Sequence, residues 1–127
     1  MKNTYYSNLL LRVAAIFGLI GAVLGSHMAG SMDYSWRPVH AHILVVGWLS
    51  LFAWAVFYRV FKPVPNWMSA LHVYCAIIGV TLLTLGMAMN IFVDIPRALY
   101  LFVYIGGGVT VLVSFGAFVL QTWRKQE

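Results

Sequence analysis

Four long apolar runs dominate this chain and decide what it can become. A bilayer's hydrocarbon core of about 30 Å takes roughly 20 apolar residues in a helix, and each run is long enough. They cover residues 9–28, 39–61, 68–93 and 98–123. Three short polar breaks separate them: Ser31 to Pro38, Lys62 to Asn66, and Asp94 to Arg97. Links this short make consecutive helices antiparallel neighbours. Pro38 and Pro96 stand at or just before helix starts, where a missing N–H costs nothing. The expected fold is all-α: one transmembrane domain over residues 1–127, a membrane four-helix bundle running up-down-up-down.

Composition closes off the alternatives. Hydrophobic residues make up 62% of the 127 and charged residues 9%, against about 25% charged in soluble domains. A water-soluble globule of this size has too much surface for so few charges, which excludes a soluble enzyme or a nucleic-acid binder. The net charge of +5 is spread as single cations at the ends of apolar runs. That is the pattern of topology signals, not of a nucleic-acid face. Cys75 is the single cysteine, so no intrachain disulfide forms.

Orientation follows from the same cations. Lys2, Arg12, Arg59, Lys62, Arg124 and Lys125 fall on one side, Arg37 and Arg97 on the other beside Asp33 and Asp94. The positive-inside rule then places both termini in the cytoplasm, as in a bacterial-type inner membrane. Tyr5, Tyr6, Tyr58, Trp67 and Trp123 mark the inner interface, and Tyr34, Trp36 and Tyr100 the outer one. The first 30 residues have the charged start and apolar centre of a signal peptide but are expected to remain as the first span. Small residues recur at helical spacing: Ala14, Gly18, Gly21 and Gly25, then Gly79 and Gly86, then Gly106 to Gly108 and Gly116. In lipid such stripes let helix backbones approach closely.

Ionisable groups inside a membrane are functional candidates by default. Asp33, Asp94 and Glu127 all lie outside the spans, which disfavours a pump built on a buried acid. What remains is His27, His40, His42 and His72. His40 and His42 open the second span and, two residues apart on a helix, differ by about 200°, so they cannot chelate one ion together. Gly47, seven residues beyond His40, shares its face and would leave a flat slot suited to a macrocycle. On opposed helices His40 and His72 differ in depth by roughly 20 Å, so one chain cannot clamp one haem between them. His27, or a histidine from a second copy, has the depth to partner His40 or His42. The plain alternative for the outer histidines is a hydrogen bond to a loop carbonyl or headgroup. For His72 it is snorkelling toward Trp67 and the inner headgroups.

Arg37-Pro38-Val39-His40 followed by an apolar helix resembles the second helix of the catalytic subunit of haem-copper oxidases and nitric oxide reductases. The wider run through His42, Gly47-Trp48, Tyr58-Arg59 and Leu71-His72 resembles small four-helix membrane proteins related to subunit I of those oxidases. The resemblance implies haem b with His40 as axial ligand, and His42 and His72 as family-like histidines. The chain departs from the oxidase pattern in lacking the other histidine-bearing helices, so the copper site, the high-spin haem and the tyrosine cofactor have no counterpart, and an electron-transfer or diatomic-gas-sensing protein is expected rather than an oxidase. Arg37 and Arg97 are the outer cations that would meet haem propionates.

Two other readings stand beside this one. His27, Met28, Met32, His40 and His42 gather around one loop, and imidazole with thioether suits copper. Alternatively the chain is a non-catalytic accessory subunit of a larger respiratory complex, or a homo-oligomer.

Overall fold

The computed structural model describes residues 1–91 and 94–125, and those residues form four helices. They are α1 (Lys2–Ser31), α2 (Arg37–Val60), α3 (Trp67–Met89) and α4 (Arg97–Thr122). All four are long and apolar enough to cross a membrane, as in a multi-pass membrane protein. The all-α four-helix reading of the sequence holds.

The ends differ from expectation where polar residues pack. Helix α1 begins at Lys2 rather than near Leu9, because Asn3, Tyr6 and Ser7 are buried against the bundle. The Asn3 amide donates from Nδ2 to the Pro63 carbonyl at 3.0 Å, tying the start of α1 to the α2–α3 link. Helix α3 stops at Met89. The last expected residues of that span, Phe92 and Val93, lie outside the described residues, as does Glu127. Tyr6 and Tyr58, expected at the inner interface, instead turn into the bundle, whereas Tyr5, Trp67 and Trp123 remain exposed.

Local chemistry sets the helix starts. Asn66 precedes α3 with extended backbone, and its Oδ1 accepts from the N–H groups of Met68 (2.8 Å) and Ser69 (3.2 Å). The Met68 donor has no other backbone partner at the helix start, and the Ser69 donor is shared with the Asn66 carbonyl at 3.1 Å. Asn66→Ala is expected to cost about 1 kcal/mol, read as a lower unfolding midpoint in detergent. In the α1–α2 turn the Ser35 N–H donates to Asp33 Oδ1 at 3.0 Å. That bond holds the exposed carboxyl below its ordinary range.

The helices pair as two hairpins with different glycine stripes. Along α1 and α2, Gly18 meets Trp48, Gly21 meets Leu44 and Gly25 meets His40, an antiparallel register. Residues 43–50 of α2 are wound as a π-helix, and the Ser50 hydroxyl adds a bond to the Val45 carbonyl at 2.9 Å. An α-helix turns in 3.6 residues, so positions four apart drift around it. Wider winding with i→i+5 bonds reduces that drift and keeps His40, Leu44 and Trp48 on the face toward α1. Along α3 and α4, Gly79 meets Val111, Gly86 meets Tyr104, and Gly107 meets Leu82 and Leu83, also antiparallel. Here the neighbours are backbone atoms rather than side chains, so these two helices lie closest.

Bulky side chains join the hairpins. Tyr58 and Trp54 of α2 pack on His72 of α3, while Phe118 of α4 touches both Trp54 and His72. Leu10, Ala14, Leu51, Val73, Ala76 and Val80 continue this core and are buried.

Candidate functional site

His40 leans on α1 where Gly25 leaves room. A Cβ at residue 25 would lie 2.8 Å from Cε1 of the imidazole. The ring's Nδ1 is 3.0 Å from the Gly21 carbonyl oxygen. A carbonyl only accepts, so Nδ1 carries the proton and donates. His42 repeats this within its own helix, its Nδ1 donating to the Pro38 carbonyl at 2.9 Å. Both rings are half-buried.

With Nδ1 protonated, each neutral imidazole presents its lone pair on Nε2. Anchoring one ring nitrogen on a carbonyl is how metal-ligating histidines are oriented. The buried side-chain polar atoms without a partner, among the described residues, are Asn3 Oδ1, His72 Nε2 and Gln121 Oε1. Neither His40 nor His42 is among them.

Gly47 does not front an open slot. The ring of Phe17 lies over it, so that a Cβ there would meet Phe17 Cγ at 2.7 Å. The position beside Gly47, where a flat slot was expected, is thus filled by the protein's own side chain. His27 is exposed on the last part of α1. Met28 is buried, and the Met32 sulfur accepts from the Tyr34 hydroxyl at 3.6 Å. No group of three or more His, Cys, Asp or Glu is placed to hold a metal ion among the described residues.

Arg37 and Arg97 are both exposed. Arg37 places its guanidinium over the Tyr34 ring, 5.0 Å from the centroid. Arg97 borders a cleft of about 330 Å³ with Asp94 and Tyr100.

His72 is fully buried and does not snorkel. Its Nδ1 is 2.9 Å from the Tyr58 hydroxyl. That hydroxyl also lies 3.4 Å from the Ser69 carbonyl, to which it donates when His72 Nδ1 holds the proton. Either tautomer leaves Nε2 without a partner. The Ser114 hydroxyl donates to the His72 carbonyl at 3.2 Å, and Gln121 Nε2 donates to the Ser69 hydroxyl at 2.9 Å. Around the imidazole stand the near-parallel rings of Phe118 and Tyr58, at 5.4 and 5.7 Å, and the edge-on Trp54 at 4.7 Å.

This polar cluster was not singled out in the sequence beyond His72. Its signal is spacing: Ser69 and His72 are three apart on α3, Ser114 and Gln121 seven apart on α4. Each pair therefore shares a helix face. The structure does not bring His72 to His40 or His42, since its ring partners Tyr58 and Trp54 stand in the last part of α2 and those two histidines at its start.

The chain matches no known family model, no curated protein and no solved structure.

Proposed function

We propose that this chain is a b-type haem protein of a bacterial inner membrane, both termini cytoplasmic, serving electron transfer or diatomic-gas sensing. The observation that carries the reading is the pair of imidazoles at the start of α2. Each spends Nδ1 on a backbone carbonyl and keeps Nε2 for a ligand. The donor type fits haem iron, which takes neutral imidazole nitrogen. His40 is the first candidate, with His42 next.

Bound there, the group would supply one-electron exchange at iron. The chain's own part is narrower. The Gly21 carbonyl fixes the His40 tautomer and ring plane. Arg37, at the same end of α2, offers a guanidinium for a carboxylate. Phe17 fills the face beside Gly47, so a group held by His40 would lie away from that position, where a second copy of the chain or a larger respiratory subunit can complete the site.

Orientation rests on charge. Arg59, Lys62, Arg124 and Lys125 end the spans on one side, with Arg37 and Arg97 on the other. The accessory-subunit reading draws on α4, where Gly106 and Gly116 have nothing against them while Phe102 and Leu112 face outward.

The test is the absorption spectrum of the purified chain before and after dithionite, with haem counted per chain. A Soret band that shifts on reduction is expected, and it should be lost in His40→Ala. A colourless protein that co-purifies with a larger complex would favour the accessory reading. Loss of the band only in His42→Ala would move the ligand to that ring.

A further inference from the structure

The haem reading leaves unused a pair of titratable side chains bonded to each other inside the bundle. Tyr58 and His72 are both fully buried, and the hydroxyl lies 2.9 Å from Nδ1. Its other neighbour, the Ser69 carbonyl, is farther away at 3.4 Å. The hydroxyl therefore donates to Nδ1, and His72 carries its own proton on Nε2. A phenol this close to a base can hand its proton over directly. Ionisable groups inside a membrane span are expensive and mark proton relays.

That transfer would leave a cation on His72, and its surroundings suit one. The Phe118 and Tyr58 rings lie 5.4 and 5.7 Å from the imidazole, tilted by only 30° and 26°. Both are inside the roughly 6 Å over which a ring face attracts a cation, most strongly where water is excluded. A phenol becomes a strong acid when it loses an electron, and ring contacts give that electron a way out. Tyr6 is buried and lies 5.6 Å from Tyr58, with Tyr5 at 5.7 Å and Tyr74 at 6.5 Å beyond it. Tyr5 and Tyr74 are exposed. With Tyr6, Met1 and Lys2 they line a cleft of about 360 Å³. An oxidant seated there is one ring away from Tyr58.

We propose that Tyr58 is a redox-active tyrosine that gives one electron, through Tyr6, to a lipid peroxyl radical in the cleft. In that step the Tyr58 O–H bond breaks and its proton goes to His72 Nδ1. A neutral phenoxyl remains beside an imidazolium. The peroxyl radical takes the electron, and a proton from water at the cleft, and leaves as a hydroperoxide with hydroxide behind it. A bilayer supplies this oxidant wherever its acyl chains autoxidise. A radical on exposed Tyr5 or Tyr74 meets others and recombines, whereas one on Tyr58 is shielded by its burial. This inference is independent of the haem reading.

The experiment generates peroxyl radicals by flash photolysis of a lipophilic azo initiator, with the full chain in aerated detergent. Phenoxyl absorption is followed in time, and frozen samples are read by electron paramagnetic resonance. A long-lived phenoxyl is expected, distinct from any iron signal. Its spin-echo modulation should change when histidine carries the heavy nitrogen isotope, because the radical oxygen is bonded to His72. Tyr58→Phe should leave only short-lived radicals, while Tyr34→Phe, in the α1–α2 turn, should leave the long-lived one intact. His72→Phe keeps the hydroxyl but removes the base, so phenoxyl should form about a hundredfold more slowly. The absence of a long-lived phenoxyl, its survival in Tyr58→Phe, or a lack of coupling to histidine nitrogen would each overturn the proposal. So would an undiminished rate in His72→Phe. The isotope comparison uses the unaltered chain and stands even if a variant folds poorly.

Discussion

Gly107→Ala is expected to destabilise the protein by about 2–3 kcal/mol, while Gly106→Ala, one residue away on the same helix, leaves it almost unchanged. The contrast isolates one physical cause. A Cβ at residue 107 would overlap the Leu83 backbone nitrogen and lie 2.7 Å from the Leu82 carbonyl carbon, whereas one at residue 106 meets nothing within 4 Å. Side chains can rotate away from a new methyl group, but a helix backbone moves only as a whole. The α3–α4 hairpin must then separate along its length, loosening Gly79 from Val111 and Gly86 from Tyr104 as well. Gly18→Ala should fall between these extremes, since its neighbour is the Trp48 ring at 3.1 Å. Unfolding midpoints of the three variants in one detergent check the order. Equal midpoints for positions 106 and 107 would mean that α3 and α4 do not meet through Gly107.

The glycines also show what could be read in advance. Stripes of small residues at helical spacing announce close approach, and Gly79, Gly86 and Gly107 deliver it. The sequence does not say what arrives at each glycine. At Gly47 it is Phe17, and the slot inferred for a macrocycle is filled, because a gap beside one helix is an opportunity for any side chain on the next. The spans themselves were legible because hydrocarbon imposes their length. The start of α1 was not, because Asn3 and Ser7 look like a polar leader until Pro63 supplies a partner. The π-helical winding of residues 43–50 likewise left no local signal, as it reflects the register between α1 and α2. Of the candidate site, the facing of His40 and His42 away from each other was legible from helix geometry alone. Their carbonyl partners were not, since Gly21 belongs to another helix.

Tyr58 and His72 make the second large effect, and its size depends on whether one partner or both are changed. His72→Ala is expected to cost about 3 kcal/mol or more, because it empties a ring-sized volume among Trp54, Tyr58 and Phe118. Tyr58→Phe alone should cost about 2 kcal/mol, since the buried His72 Nδ1 then loses its 2.9 Å partner while Nε2 already has none. His72→Phe should cost about 1 kcal/mol, because the Tyr58 hydroxyl retains the Ser69 carbonyl at 3.4 Å. Replacing both by Phe removes donor and acceptor together and keeps aromatic shape, so the double variant should lie within about 1 kcal/mol of the original chain. The coupling of roughly 2–3 kcal/mol that this implies is within reach of a double-mutant cycle in detergent. Strict additivity would show that the hydrogen bond does not join the two residues. The same double variant separates structure from chemistry at this end of the bundle. With the fold restored, a haem spectrum that persists leaves His72 out of the haem site. A stable but colourless double variant would make His72 an iron ligand and overturn the assignment to the start of α2.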